Sequence, residues 1–213
     1  MYQSDPAVLE IDRCEQIEGR RLHFYAKGEE IPLISQGVWQ ICQGLVQLST
    51  FCQSGEEVWL GWANTSAFFG RWFSLLPTYR ATAWSDVVLT CFSLSEIEAS
   101  PRLSQIVLAQ MVCRMRQTEA LLAISGQRRV EERLQQLLML LKQDVGQPAP
   151  EGIRLEVRLT HQNLANAIGT TRVTITRILS KLKKEGAITF DYDRHIILKN
   201  DHWLDASDQQ INP

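Results

Sequence analysis

The chain has 213 residues, with 22 Lys and Arg against 24 Asp and Glu, and 45% hydrophobic and 22% charged residues. That is an ordinary balance for a globular protein with one large core or two smaller ones. No charged start followed by an apolar run opens the sequence, and no apolar stretch nears the ~20 residues of a membrane span, so we expect a cytoplasmic protein with no membrane partner.

The net charge of −2 hides an asymmetry. Residues 1–125 hold 9 bases and 13 acids, residues 126–200 hold 13 and 8, and residues 201–213 hold three Asp and no base. A positive C-terminal segment on an acidic body suits phosphate binding, although uneven surface charge alone would not establish it. Five cysteines, at 14, 42, 52, 91 and 113, offer no C-x-x-C pair, iron–sulfur run or zinc spacing, which leaves reduced thiols, mostly as core fillers, and no metal site.

Residues 1–20 are polar with scattered Val8, Leu9, Ile11 and Ile17, enough for a short helix. From Arg21 to Ile97 the runs LHFY, VWQICQGLVQLSTF, EVWLGWA and ATAWSDVVLTCFSL are broken at Lys27–Gly28, Gln36–Gly37, Ser54–Gly55 and Pro77. Short β-rich runs between turn signals predict an antiparallel roll or barrel, with Gly55 in a hairpin turn. Five of the six tryptophans (39, 59, 62, 72 and 84) lie here, and their default role is core filling.

Ser100 to Ser125 predicts a long helix starting at Pro101, a favoured first position. Leu103, Ile106, Val107, Leu108, Met111, Val112, Met115, Leu121, Leu122 and Ile124 cover much of its circumference. Such a helix packs on its own domain and on something else, or is buried inside one domain. A further helix spans Val130 to Val145, with Leu134, Leu137, Leu138 and Leu141 on one stripe. GQPAPEG reads as a linker, and Ile153–Leu159 as a strand.

The stretch Leu159 to Leu198 reads as a winged helix-turn-helix. Thr160 is an N-cap for a helix to Ile168, Gly169 ends it, Thr171 caps a second helix to about Glu185, and Gly186 stops that one. Small Ala165, Gly169 and apolar Ile175 have the spacing that two helices need to cross around a tight turn. Ile175, Ile178, Leu179 and Leu182 share one face of the second helix. Arg172, Val173, Thr176, Arg177, Ser180 and Lys181 share the other, with no acid among them. Guanidinium groups and methyl groups on such a face suit the major groove, where arginine reads guanine and apolar groups touch the thymine methyl. This gives Arg172, Val173, Thr176 and Arg177 as base-reading candidates. Thr160, Gln162, Thr171 and Thr174 at helix starts, with Lys181, are phosphate candidates. Ala187–Phe190 and His195–Leu198, turning at Tyr192–Asp193–Arg194, make the wing. The alternative is a helical hairpin with a solvated basic face.

LTHQNLANAIGTTRVTITRILSKL resembles the DNA-binding domain of the Crp/Fnr regulators, and its TRVTITR core resembles the reading helix of the cyanobacterial nitrogen regulators within that family. The resemblance implies an α+β fold. Residues 1–99 would form a cyclic-nucleotide-binding-like β-roll, with Gly44 and Gly55 at glycine positions of that roll. Residues 100–125 would be the seam of a homodimer, 126–200 the DNA-binding domain and 201–213 an acidic tail. It further implies double-stranded DNA and RNA polymerase as partners, and a GTA…TAC palindrome. The family's oxygen-sensing branch needs an N-terminal cysteine cluster, and Cys14 stands alone.

Residues 67–83 fall where the family's cyclic-AMP binders carry their phosphate cassette. Phe69 and Gly70 match it and Arg80 stands for its phosphate arginine, but Arg71 replaces the glutamate that holds the ribose hydroxyl. A guanidinium cannot accept that hydrogen bond, which argues against cyclic AMP. Arg114 and Glu119 resemble the pair with which the nitrogen regulators hold 2-oxoglutarate. The resemblance thus implies that Arg80, Arg114 and Glu119 serve a dicarboxylate effector, since arginines bind carboxylates bidentately. Solvated charge with Arg–Glu pairing across the dimer is the alternative.

An enzyme is not expected. There is no metal spacing, no nucleophile elbow and no phosphate-binding glycine loop, and His23, His161, His195 and His202 are dispersed. The reading is a sequence-specific transcription regulator; the alternative is an effector-independent architectural DNA-binding protein.

Overall fold

The computed structural model describes residues 19–199, so the helix expected in residues 1–20 and the acidic tail lie outside the described residues. The chain divides into two compact units. Among the described residues, one holds 19–50 with Trp62–Met115, the other Phe51–Gly61 with 116–199.

The expected roll is present as two sheets. Strands β1 (Leu22–Tyr25), β7 (Val87–Ser93), β2 (Gly37–Gln43) and β5 (Phe68–Phe69) form one antiparallel sheet in that order, and β4 (Glu57–Ala63), β3 (Val46–Phe51) and β6 (Arg80–Ala83) form another. Gly44 turns β2 into β3 at φ +95°, where any Cβ would overlap the Asp86 carbonyl oxygen, so only glycine serves there. Gly55 turns β3 into β4 at φ +82°. Trp39, Trp59, Trp62 and Trp84 are buried as expected, but Trp72 is 53% exposed. It sits in the short 3-10 turn Arg71–Phe73, with its ring 5.2 Å from that of Phe73.

Helix α1 (Leu94–Ala99) follows β7 directly, and a reciprocal Ser93–Glu96 capping box fixes its start. Helix α2 (Pro101–Ser125) begins at proline as expected. Leu103 and Val107 join Val38, Phe68, Phe92 and Ile97 in the core of the roll. The four described cysteines are free thiols and none is fully buried; Cys52 and Cys113 are exposed. This corrects the core-filler reading, because the hairpin turn and the outer face of α2 that carry them leave no core to fill.

The second unit contains α3 (Val130–Val145), α4 (His161–Ile168), α5 (Arg172–Lys184) and the sheet β10 (Ile188–Phe190), β11 (Ile196–Leu198), β9 (Gly152–Leu155), β8 (Gly146–Ala149). Leu134, Leu137, Leu138 and Leu141 of α3 are wholly buried, with Leu155, Leu164 and Ile175. Four Leu at helical spacing make one continuous stripe, worth about 1.5–3 kcal/mol each when removed from water. The expected linker GQPAPEG is instead the β8–β9 hairpin, with register Gly146↔Leu155 to Ala149↔Gly152. The strand expected over Ile153–Leu159 ends at Leu155.

Candidate nucleic-acid interface

Thr160 caps α4. Its Oγ1 accepts the Asn163 N–H at 3.0 Å, while the Asn163 side chain accepts the Thr160 N–H at 3.0 Å. Gly169 then adopts the left-handed conformation, φ 62° and ψ 58°, and turns the chain through the short link to Thr171. Thr171 Oγ1 accepts the Thr174 N–H at 3.2 Å and starts α5. Ile175, Ile178, Leu179 and Leu182 are buried beneath α5, and Ala165 below the crossing is wholly buried, which lets the helices approach. Gly186 at φ 78° ends the unit's last helix.

The outward face of α5 exposes Arg172, Thr176, Arg177 and Ser180, with Val173 at 79% exposure. No carboxylate shares it. The base-reading candidates are therefore brought together on one face. Thr160, Gln162, Thr171 and Thr174 lie at the starts of α4 and α5, where free backbone N–H groups and the positive helix ends favour phosphate. Gln162 Nε2 donates to Asn166 Oδ1 at 2.7 Å. Lys181 is exposed, but its ammonium reaches Glu131 on α3 at 2.6 Å, and that hydrogen bond raises its pKa. It is engaged inside the protein, and a phosphate would compete with Glu131 for it.

The wing pairs Ile188↔Leu198 and Phe190↔Ile196, and turns through Arg194 at φ 66°. Its base is pinned by a network that the sequence reading missed. Arg154 Nε on β9 meets Asp191 Oδ2 at 2.6 Å, Arg154 Nη2 meets His195 Nδ1 at 2.7 Å, and the His195 N–H donates to Asp191 Oδ1 at 2.7 Å. Asp191 Oδ2 also lies 3.1 Å from His195 Nδ1. Ligand atoms of Asp191, Asp193 and His195 fall within 4.8 Å of one another, but Arg154 already neutralises Asp191 and occupies Nδ1. A wing pin accounts for this cluster without a metal. Tyr192 at the wing tip is fully exposed.

In the roll, Phe69 is buried and Gly70 follows it into the 3-10 turn. Arg71 Nη1 donates to the Pro77 carbonyl oxygen at 3.5 Å. Arg80 pairs with Glu30 at 3.1 Å. Arg114 donates to the Trp62 carbonyl oxygen at 3.3 Å. Burial lowers the Arg114 pKa, against the neighbouring Tyr79 phenol, which raises it. Burial in turn pushes the Tyr79 phenol up to about 12, against Arg114, which pulls it back. Glu119 is exposed, five residues along α2 from Arg114 and so about 140° around the helix.

The Crp-like helix-turn-helix domain matches residues 132–206. The global nitrogen regulator of Synechocystis sp. is 33% identical over 165 residues, covering 73% of each chain. The regulatory protein CysR of Synechococcus elongatus is 33% identical over 172 residues, covering 79% of each. The chain belongs to the Crp/Fnr family. This Crp/Fnr protein also shares its fold with a CRP-family transcriptional regulator from Thermus thermophilus, at TM-score 0.73 and 21% identity over 88% of this chain and 95% of that one. It is a DNA-binding transcription regulator, not an enzyme, resembling the cyanobacterial nitrogen regulators as its reading helix suggested. No helix among its described residues is long and apolar enough to cross a membrane.

Proposed function

We propose that this regulator acts in the cytoplasm as a symmetric homodimer. The dimer reads a palindromic promoter site with α5 of each copy in the major groove and acts on RNA polymerase. The observation that carries this reading is the acid-free outward face of α5. Arg172 and Arg177 would take guanine O6 and N7, and Val173 a thymine methyl. Thr160, Gln162, Thr171 and Thr174 would hold phosphates. Dimerisation is supported by Leu108, Met115 and Leu122 on α2, which are 65%, 56% and 72% exposed at seven-residue intervals, the repeat of a helix–helix seam.

The effector we propose is a small dicarboxylate such as 2-oxoglutarate rather than cyclic AMP. Arg114 is a part-buried cation beside the Tyr79 phenol and the Trp62 carbonyl, and a guanidinium so placed can take a carboxylate bidentately. Arg80 would serve the second carboxylate by exchanging Glu30 for it, with Phe69 and Gly70 shaping the wall. Arg71, a donor only, stands where a ribose hydroxyl would need an acceptor.

Selection of bound sites from random DNA, with and without 2-oxoglutarate and cyclic AMP, tests the whole reading. We expect one palindrome, strengthened by 2-oxoglutarate through Arg114 and indifferent to cyclic AMP. Arg177→Ala should cost ~1–3 kcal/mol and relax one base position, and Val173→Glu should shift a position toward G·C. Binding without sequence preference would make this an architectural protein. An unchanged consensus in Val173→Glu would mean that α5 is docked differently.

A further inference from the structure

The outward face of α5 carries two hydroxyls, and both are turned inward. Ser180 Oγ donates to the Thr176 carbonyl oxygen at 2.8 Å, and Thr176 Oγ1 donates to the Arg172 carbonyl oxygen at 2.9 Å, the back-bond to the residue four earlier that serine and threonine make in helices. Thr176 Oγ1 also lies 2.7 Å from His161 Nδ1, on the first turn of α4. A hydroxyl has one proton. If Thr176 gave it to the imidazole, Oγ1 and the Arg172 carbonyl oxygen would be two acceptors face to face. The arrangement that satisfies both contacts has His161 Nδ1–H donating to Oγ1, and Oγ1–H donating to the carbonyl. With its proton taken by the carbonyl and one of its two lone pairs by the imidazole, Thr176 can donate to no base and presents its methyl group with a single remaining lone pair. Val173, three residues earlier and so on the same strip of the helix, offers only methyl groups.

We infer that His161 is a positioning residue that makes Thr176 a methyl reader. Val173 and Thr176 then form an apolar strip beside Arg172 and Arg177. The ligand class of that strip is the C5-methyl group of a pyrimidine in the major groove, that of thymine or equally of 5-methylcytosine, and not a base-edge hydrogen bond. The inference rests on α5 entering the major groove as proposed above. It makes sequence preference at two positions of each half-site depend on a methyl group, and it gives a role to a histidine that would otherwise read as one more polar residue near a phosphate.

The test is fluorescence anisotropy on the selected site, with each thymine replaced in turn by deoxyuridine and each cytosine by 5-methylcytosine. Removing one methyl contact should weaken the unsubstituted protein about fourfold at two positions of each half-site, the fold-change that corresponds to one buried methylene. Thr176→Val, which keeps the shape and methyl groups without the hydroxyl, should retain both sensitivities. Thr176→Ser, which keeps the hydroxyl without the methyl, should lose one. His161→Ala frees the hydroxyl and should blunt that same position. His161→Asn, whose amide N–H can stand in for Nδ1–H, should restore it. A Thr176→Ser protein with the unaltered deoxyuridine profile overturns the inference, as does a Thr176→Val protein that loses its sensitivity. If Arg177→Ala relaxes a guanine while deoxyuridine has no effect anywhere, only this inference fails. If Arg177→Ala changes no base preference, the docking of α5 fails with it.

Discussion

The Asp191 carboxylate holds the wing to the rest of its sheet, and its replacement by asparagine has a size that the structure sets. The side chain is 20% exposed and takes Arg154 at 2.6 Å and the His195 N–H at 2.7 Å. Burial pushes its pKa up, but the Arg154 hydrogen bond, the His195 N–H and the charge on His195 outweigh burial and hold it at about 2, against an ordinary 3.8. A carboxyl depressed on folding contributes stability that is fully present above 3.8 and is lost as the pH falls through 2. The gap is worth about 2 kcal/mol at pH 7 and roughly half that at pH 3. Asp191→Asn keeps the shape and removes the charge, leaving Arg154 facing a neutral amide. Native-state hydrogen exchange at Ile196–Leu198 reports this sheet locally. At pH 7 the variant's amides should exchange about 30-fold faster, the equivalent of about 2 kcal/mol. The difference should stay constant down to pH 5 and close below pH 4. Equal protection at pH 7, or a difference that is undiminished at pH 3, would refute the pin.

Two glycines with positive φ should answer differently to alanine. Gly169 has open space around a Cβ, so Gly169→Ala should cost only the left-handed strain of ~1–2 kcal/mol. At Gly152 a Cβ would overlap the Leu198 carbonyl oxygen, so Gly152→Ala should lower the thermal midpoint much further; the reverse order would contradict the β9–β11 spacing. Leu122→Glu should weaken the dimer on the order of 100-fold or more, since two copies each give up ~1.5–3 kcal/mol of burial. Sedimentation equilibrium measures this, and an unchanged dissociation constant would move the seam away from α2.

What proved legible in the sequence is what short-range chemistry dictates. Thr160, Gly169, Thr171 and Gly186 gave the helix ends almost to the residue, because a cap or a left-handed turn is decided within four residues. The leucine stripe of α3 and the β-rich runs of the roll followed from period alone. The β8–β9 hairpin did not. Gly146, Pro148, Pro150 and Gly152 read as punctuation, and proline is disfavoured in a sheet interior. But β8 is the edge strand of its sheet, where a proline's missing N–H faces no partner. Whether a strand is at an edge depends on residues forty positions away, and no local pattern carries that.

The same limit governs the site. That residues 172–177 bear guanidinium groups and methyl groups is a fact of sequence; which groups remain available is a fact of tertiary contact. Lys181 reads as a free cation until Glu131, fifty residues earlier, is found 2.6 Å away. Thr176 reads as a donor until the imidazole of His161 closes on it from the next helix. Arg154 gave no signal at all, because its partners Asp191 and His195 belong to the wing. In each case an intramolecular partner removes a hydrogen-bonding group from the surface that DNA would meet. The outward face of α5 is therefore narrower in chemistry than its composition suggests, with two guanidinium groups as its strong donors and methyl groups for much of the rest. On the docking proposed for α5, such a face would discriminate by guanine and by pyrimidine methylation. Val173 itself has no acceptor with which to read the cytosine amino group, and this is why introducing one there should alter the consensus rather than merely weaken it.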